Sequence, residues 1–167
     1  MAEYIINVAE NFWNIRGEFK ARGLVNVGTH ASLVKLASGK FVLLDAYTFN
    51  RRIAKEINAL TDDGRNIEAI INLHPFHTIH VKTVHEQYPE ARLYGTVRHH
   101  ERFPDLPWEA LKSEDRSLHQ EYAADLEFTV PRGVDFVSDN EHIHFSSVMA
   151  YHPSSKTIHS DDTLNYF

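Results

Sequence analysis

A mixed α/β domain is the fold this sequence predicts, and three stretches predict it. Residues 32–45 read as a β-hairpin, residues 50–88 as helix, buried strand and second helix, and residues 126–159 as strands with short turns. The order is hairpin, αβ units, then more β, without a regular βαβ alternation.

Taken in order, Phe12, Trp13 and Ile15, then Leu24, Val25 and Val27, suggest β-structure from their spacing. The hairpin follows: two β-rich runs flank a turn in which Gly39 is free to take positive φ, and Asp45 ends the second strand. Residues 50–60 carry Ile53, Ile57 and Leu60 at helical spacing, with Asn50 as N-cap and a stop at residues 61–64. The run from Ile67 to Leu73 is a short buried strand; Val81, Val84 and Tyr88 then mark a helix that Pro89 ends. Residues 91–95 form another short strand, residues 98–108 a loop rich in His and Pro, and residues 113–122 a loop or short helix. A strand over 126–130 and a meander through 134–137, 142–145, 147–151 and 156–159 complete the chain. Trp13 and Trp108 read as core or rim residues.

Composition fits one soluble domain spanning residues 1–167: 43% of residues are hydrophobic and 24% charged. A net charge of −6 without a basic run argues against a nucleic-acid surface. No stretch is apolar enough to span a membrane and no leader stands at the start, so the expected location is the cytoplasm. The expected partners are a small-molecule substrate and, at most, further copies of the chain. With no cysteine, any metal must be held by histidine and carboxylate.

Histidine is the anomaly, at 12 residues. Three of them occupy the loop His74-Pro75-Phe76-His77-Thr78-Ile79-His80, between the buried strand and its helix. The carboxyl end of a strand in an α/β sheet is where ligands commonly bind, and neutral imidazoles converging there suit zinc, iron, copper or nickel. Arg98, beside His99 and His100, offers a clamp for an anionic substrate. His30, His85 and His119 read as surface residues, and His152 and His159 take no assigned role.

Three stretches resemble the metallo-β-lactamase superfamily. The hairpin ending in Asp45 is similar to the family's opening hairpin. The loop from His74 to His80 stands where the family carries His-x-His-x-Asp-His, and Ser160-Asp161-Asp162-Thr163-Leu164 resembles the strand ending in Gly-Asp-Thr-Leu. His77 and His80 match the second and last motif histidines, His74 falls one residue before the first, and Ile79 replaces the Asp. Another register places His74 on the first histidine and loses the others. The family's later Gly-His-Thr histidine falls on Ile143, flanked by His142 and His144, of which His144 is preferred.

The resemblance implies an αββα sandwich in a chain that stops before the family's last αβ unit. It implies one or two zinc ions, with iron or manganese as alternatives, held by His74, His77, His80, His144 and Asp162. Asp162 and His80 would be the residues closest to catalysis. The implied activity is metal-dependent hydrolysis of a small ester, lactone, amide or phosphoester. The alternatives are a non-catalytic relative that keeps the fold, and a metal-bound oxidoreductase.

Overall fold

The structure is a computed structural model that describes residues 4–18, 20–21, 25–26, 28–140 and 145–163. Strands β1 (Tyr4–Ala9), β2 (Phe12–Gly17), β5 (Thr29–Lys35), β6 (Phe41–Leu44), β7 (Ile67–Ile71) and β8 (Arg92–Tyr94) form one six-stranded sheet in that spatial order. The short pair β3 (Lys20–Ala21) and β4 (Val25–Asn26) stands apart. Pairing is antiparallel from β1 to β6 and parallel from β6 through β7 to β8. A second sheet, β9 (Glu127–Thr129), β10 (Met149–His152) and β11 (Thr157–His159), is antiparallel throughout.

Period-two alternation divides the core in two. Leu33, Leu43 and Ile70 face one side, where they pack with Ile53 and Ile57 of α1 (Arg51–Thr61) and Val81 and Val84 of α2 (Val81–Gln87). Val34, Val42, Leu44 and Ile71 face the other, against Val148 and Ala150, Leu118 of α4 (Arg116–Glu121) and Tyr122 at its C-cap. Every residue of β6 is therefore buried, which is why the run over 41–44 is continuously apolar. Full burial of each such aliphatic side chain contributes about 1.5–3 kcal/mol. One irregularity adjusts β7: Phe41 pairs with Ile67 but Val42 with Ala69, so the register shifts at Glu68 and Ile67 and Ala69 face opposite sides.

The hairpin forms as its residues predict, with Gly39 at φ 86° and Leu36 N–H donating to Lys40 O at 2.8 Å. Asn50 caps α1, its side chain accepting from the N–H groups of Arg52 and Ile53. Asp62 closes the helix at φ 56°, its N–H donating to Asn58 O.

Three expectations change. β1 was not anticipated, because it is an edge strand whose pattern becomes legible only against β2. Residues 98–102, read as loop, belong to helix α3 (Val97–Arg102), which starts after the extended Thr96. Residues 134–137, read as strand, are bends: Val134 is 57% exposed and follows the left-handed Gly133 at φ 84°, and among the described residues no strand pairs with the segment, although Phe136 packs on the second core. Residues 142–144 lie outside the described residues. Among the described residues, no helix is long and apolar enough to cross a membrane.

Candidate metal centre

The parallel strands deliver three polar residues to one end of the sheet. Asp45 follows β6, His74 lies just beyond β7, and His99 stands in α3 beyond β8. Asp45 is buried in the left-handed region at φ 60°, which a short polar side chain tolerates best. Its Oδ1 accepts from Leu73 N–H at 2.7 Å and His74 N–H at 3.3 Å, so a fixed carboxylate sets the start of the histidine loop. The loop closes on itself where His77 N–H donates to His74 O at 3.1 Å. His99 supports it from behind: Thr96 N–H donates to Nδ1 at 3.2 Å, leaving Nε2–H to donate to His77 O at 3.3 Å.

His74 and His77 stack, with ring centroids 3.9 Å apart and planes inclined by 19°. Asp162 reaches both from just past β11: its Oδ2 lies 3.6 Å from His74 Nε2 and 3.4 Å from His77 Nε2. Ser147 N–H and Oγ lie 3.0 and 2.8 Å from Thr163 Oγ1, fixing the residue after Asp162. His74 is fully buried, whereas the side chains of His77 and Asp162 are 35% and 42% exposed, so the group opens to solvent on one side. Asp161, only 6% exposed, holds His77 Nδ1 at 3.0 Å.

These contacts separate two titrations. Burial disfavours the His77 imidazolium, but the Asp161 and Asp162 carboxylates outweigh it and push its pKa up to about 10. Burial, then the neighbouring His77 charge, brings His74 down to about 4. Stacked rings cannot readily both carry charge, and the carboxylates decide which one does. Burial lowers His99 to about 4 as well. Contact with His77 keeps Asp162 below its ordinary range, against the opposing effect of burial.

The donor set fits a metal ion. Two imidazoles and a carboxylate, with an open side, are ligands zinc and iron accept. Ligand atoms about 2.0–2.1 Å from a tetrahedral ion lie about 3.3–3.4 Å from one another. The 3.4 and 3.6 Å separations from Asp162 Oδ2 are near that edge, and in the metal-free protein the shorter one is an ion pair with His77. Asp161 on Nδ1 leaves Nε2 of His77 for the ion, an arrangement common among metal-bound histidines. His74 fits at two costs: its ring must splay from the stack with His77, because the in-plane lone pairs of parallel rings do not meet at one ion, and its tautomer must change. Phe76 N–H donates to its Nδ1 at 3.2 Å, so ligation through Nε2 requires the ring proton to move to Nδ1 and that long hydrogen bond to break.

His74, His77 and Asp162 are thus brought together. His80 is not: it stands at the start of α2, and its Nδ1 lies 2.9 Å from Thr48 Oγ1 while its ring meets Tyr47 edge-on at 5.2 Å. The hydrogen-bonded turn of the loop lies between His74 and His77, and a bend at residues 79–80 then leads into α2, which sequence spacing alone does not convey. His144 lies outside the described residues. Arg98 stacks over Phe76 at 4.4 Å, on the flank of the histidine loop.

The surface assignment of His30 is overturned. Its Nε2 lies 3.0 Å from Asp161 Oδ1, and its ring stacks on the buried His159. His85 and His119 are half-buried, the latter with Nε2 at 2.9 Å from Ser113 O. His159 also belongs here, its Nε2 at 2.8 Å from Asp45 Oδ2. Alternation along β11, with Ile158 out and His159 in, carries that signal. Nothing local marks His30, because the contact joins residues 131 positions apart in sequence order (30 and 161).

No protein-family model matches the sequence. No curated protein matches it. Among solved structures, the chain is similar to the metallo-β-lactamase DIM-1 exposed to ceftazidime, at 18% identity and TM-score 0.64, over 93% of this chain and 68% of that one. It is also similar to FIM-1 from Pseudomonas aeruginosa in a mono-zinc form, at 13% identity and TM-score 0.57, over 92% and 66% of the two chains. A third is the metal-soaked Flv1 flavodiiron core from Synechocystis, at 16% identity and TM-score 0.57, over 93% and 41%. The chain has the metallo-β-lactamase fold.

Proposed function

We propose that the protein is a metal-dependent hydrolase of small molecules, with His74, His77 and Asp162 holding one divalent ion. The observation that carries this reading is the convergence of one donor atom each from His74, His77 and Asp162 on a side of the group that is open to solvent. A zinc, iron or manganese ion so held would supply a Lewis acid and acidify a bound water. Asp161 holds the His77 ring by Nδ1 and keeps its Nε2 turned toward Asp162. The Asp45 carboxylate fixes the backbone from which His74 projects. Arg98, placed on Phe76, orients an anionic substrate group beside the histidine loop.

A second reading is a metal-binding relative without turnover. It is favoured by Ile79, which stands 68% exposed where the family motif has Asp, and by His80, turned toward Thr48. One experiment separates the two. Untagged protein is analysed for metal, then screened against esters, lactones, amides and phosphoesters beside His77→Ala and Asp162→Ala. Metal with hydrolysis, both lost in the variants, supports the enzyme. Metal without hydrolysis supports the relative, and a folded wild type that binds no metal sinks both.

A further inference from the structure

Two carboxylates fix the histidine loop, and each is held by a histidine that sequence reasoning had left without a role. Asp45 gives Oδ1 to the backbone N–H groups of Leu73 and His74, and its Oδ2 lies 2.8 Å from His159 Nε2. Asp161 gives Oδ2 to His77 Nδ1, and its Oδ1 lies 3.0 Å from His30 Nε2. The two histidines stack on each other, centroids 4.7 Å apart at 28°.

Each ring is anchored by its other nitrogen to the same place. Asn14 and Ser32 are direct cross-strand partners on β2 and β5. Arg16 Nε donates to Asn14 Oδ1 at 2.9 Å, which turns the amide nitrogen toward His30 Nδ1 at 3.0 Å. With Nδ1 accepting, His30 carries its proton on Nε2 and donates toward Asp161 and the nearby Ser160 O at 3.1 Å. Ser32 Oγ lies 2.9 Å from His159 Nδ1. The serine, histidine and aspartate in this second chain have the order of a nucleophilic triad, but all three are buried, so substrate cannot reach the hydroxyl.

His30, His159 and Asp161 also lie close enough to hold an ion. Their contacts argue otherwise. The rings already use their nitrogens in hydrogen bonds of 2.8–3.1 Å, shorter than the ligand edge seen at Asp162.

We propose that the stacked pair His30–His159 is the positioning device of the metal centre: two parallel chains of hydrogen bonds that run from one cross-strand pair to the two candidate ligands. One chain, Asn14–His30–Asp161, sets the ring of His77. The other, Ser32–His159–Asp45, sets the backbone of His74. His30 and His159 act through the carboxylates and do not touch the ion. The inference rests on the metal reading above.

The test uses the whole chain with His30→Ala and His30→Gln, at a position 28% exposed, and His159→Gln as the buried counterpart. Zinc affinity is measured by competition with a chromophoric chelator. The cobalt(II) absorption spectrum and the thermal midpoint of the metal-free protein are recorded beside it. Loss of a partner behind a metal ligand typically costs about 10–100-fold in affinity. His30→Ala, one residue behind the direct partner Asp161, should weaken zinc binding by up to about tenfold and alter the cobalt spectrum, and should lower the metal-free midpoint because Asp161 loses a buried partner. His30→Gln, able to donate to Asp161, should recover most of the loss. If wild type binds zinc and His30→Ala matches it in affinity and spectrum, the positioning role is overturned while the centre stands. If wild type binds no zinc, the centre itself is wrong and this inference goes with it.

Discussion

Zinc binding to the metal-free protein should expel a proton from His77. With its pKa near 10, His77 is a cation at neutral pH, and the ion must replace the proton on Nε2 while Nδ1–H stays with Asp161. His74, brought down to about 4, is already neutral and contributes none. Uptake between pH 7 and 9 should therefore release about one proton from the protein per ion, and apparent affinity should rise about tenfold per pH unit. An unperturbed histidine would stop contributing above about pH 7.5. Asp161→Asn isolates the effect, because it removes the hydrogen-bonded carboxylate that holds the imidazolium. Calorimetric titration at pH 8 in buffers of different ionisation enthalpy counts the protons. Any proton lost from bound water appears in both proteins and cancels in the difference. Wild type should exceed Asp161→Asn by up to about one proton, less whatever charge Asp162 and Asp45 still hold on His77 in the variant. If the apparent zinc affinity of wild type does not rise with pH between 7 and 9, His77 is not a stabilised cation and the electrostatic account of the site fails.

The remaining predictions concern stability. Because the folded pKa of His77 lies above its ordinary 6.5, its pairing with the carboxylates stabilises the metal-free protein fully below that value and ceases to do so as pH rises through about 10. Denaturation midpoints between pH 6 and 10 should show that decline, and Asp161→Asn should flatten it. Zinc at a hundredfold excess over Kd should add about 2.7 kcal/mol, which a chelator should remove. Leu43→Ala, in the middle of the buried β6, should cost about 2–5 kcal/mol in urea denaturation. Gly17→Ala should cost about 1–3 kcal/mol, since a Cβ there would meet the ring of the buried Tyr47 at 2.1 Å. Asn50→Ala should cost about 1 kcal/mol through the lost cap of α1.

Local signals made most of the fold legible. The hairpin around Gly39, the cap at Asn50 and the apolar run of β7 each declare their structure within a few residues. The resemblance, resting on Asp45, the histidine loop and Asp162, brought the two sheets together, and the similarity to solved structures agrees with it. What escaped reading is non-local. Val134 and Phe136 alternate like a strand, but among the described residues no strand pairs with them. His30 and Asp161 meet only because β5 and the segment after β11 converge between the sheets. Asp161, standing where the family motif has glycine, holds His77 Nδ1 and, together with Asp162, favours its charged form. His80 was drawn into the expected ligand set by spacing, and the turn at the start of α2 carries its ring to Thr48.

Metal content tests the central claim most directly. Untagged wild type, His77→Ala and Asp162→Ala should be saturated with zinc, dialysed and analysed for bound metal, with circular dichroism confirming that each is folded. One equivalent retained by wild type and lost from both variants is the predicted result. A folded wild type without metal, or variants that retain it, would contradict the assignment of His77 and Asp162 as ligands.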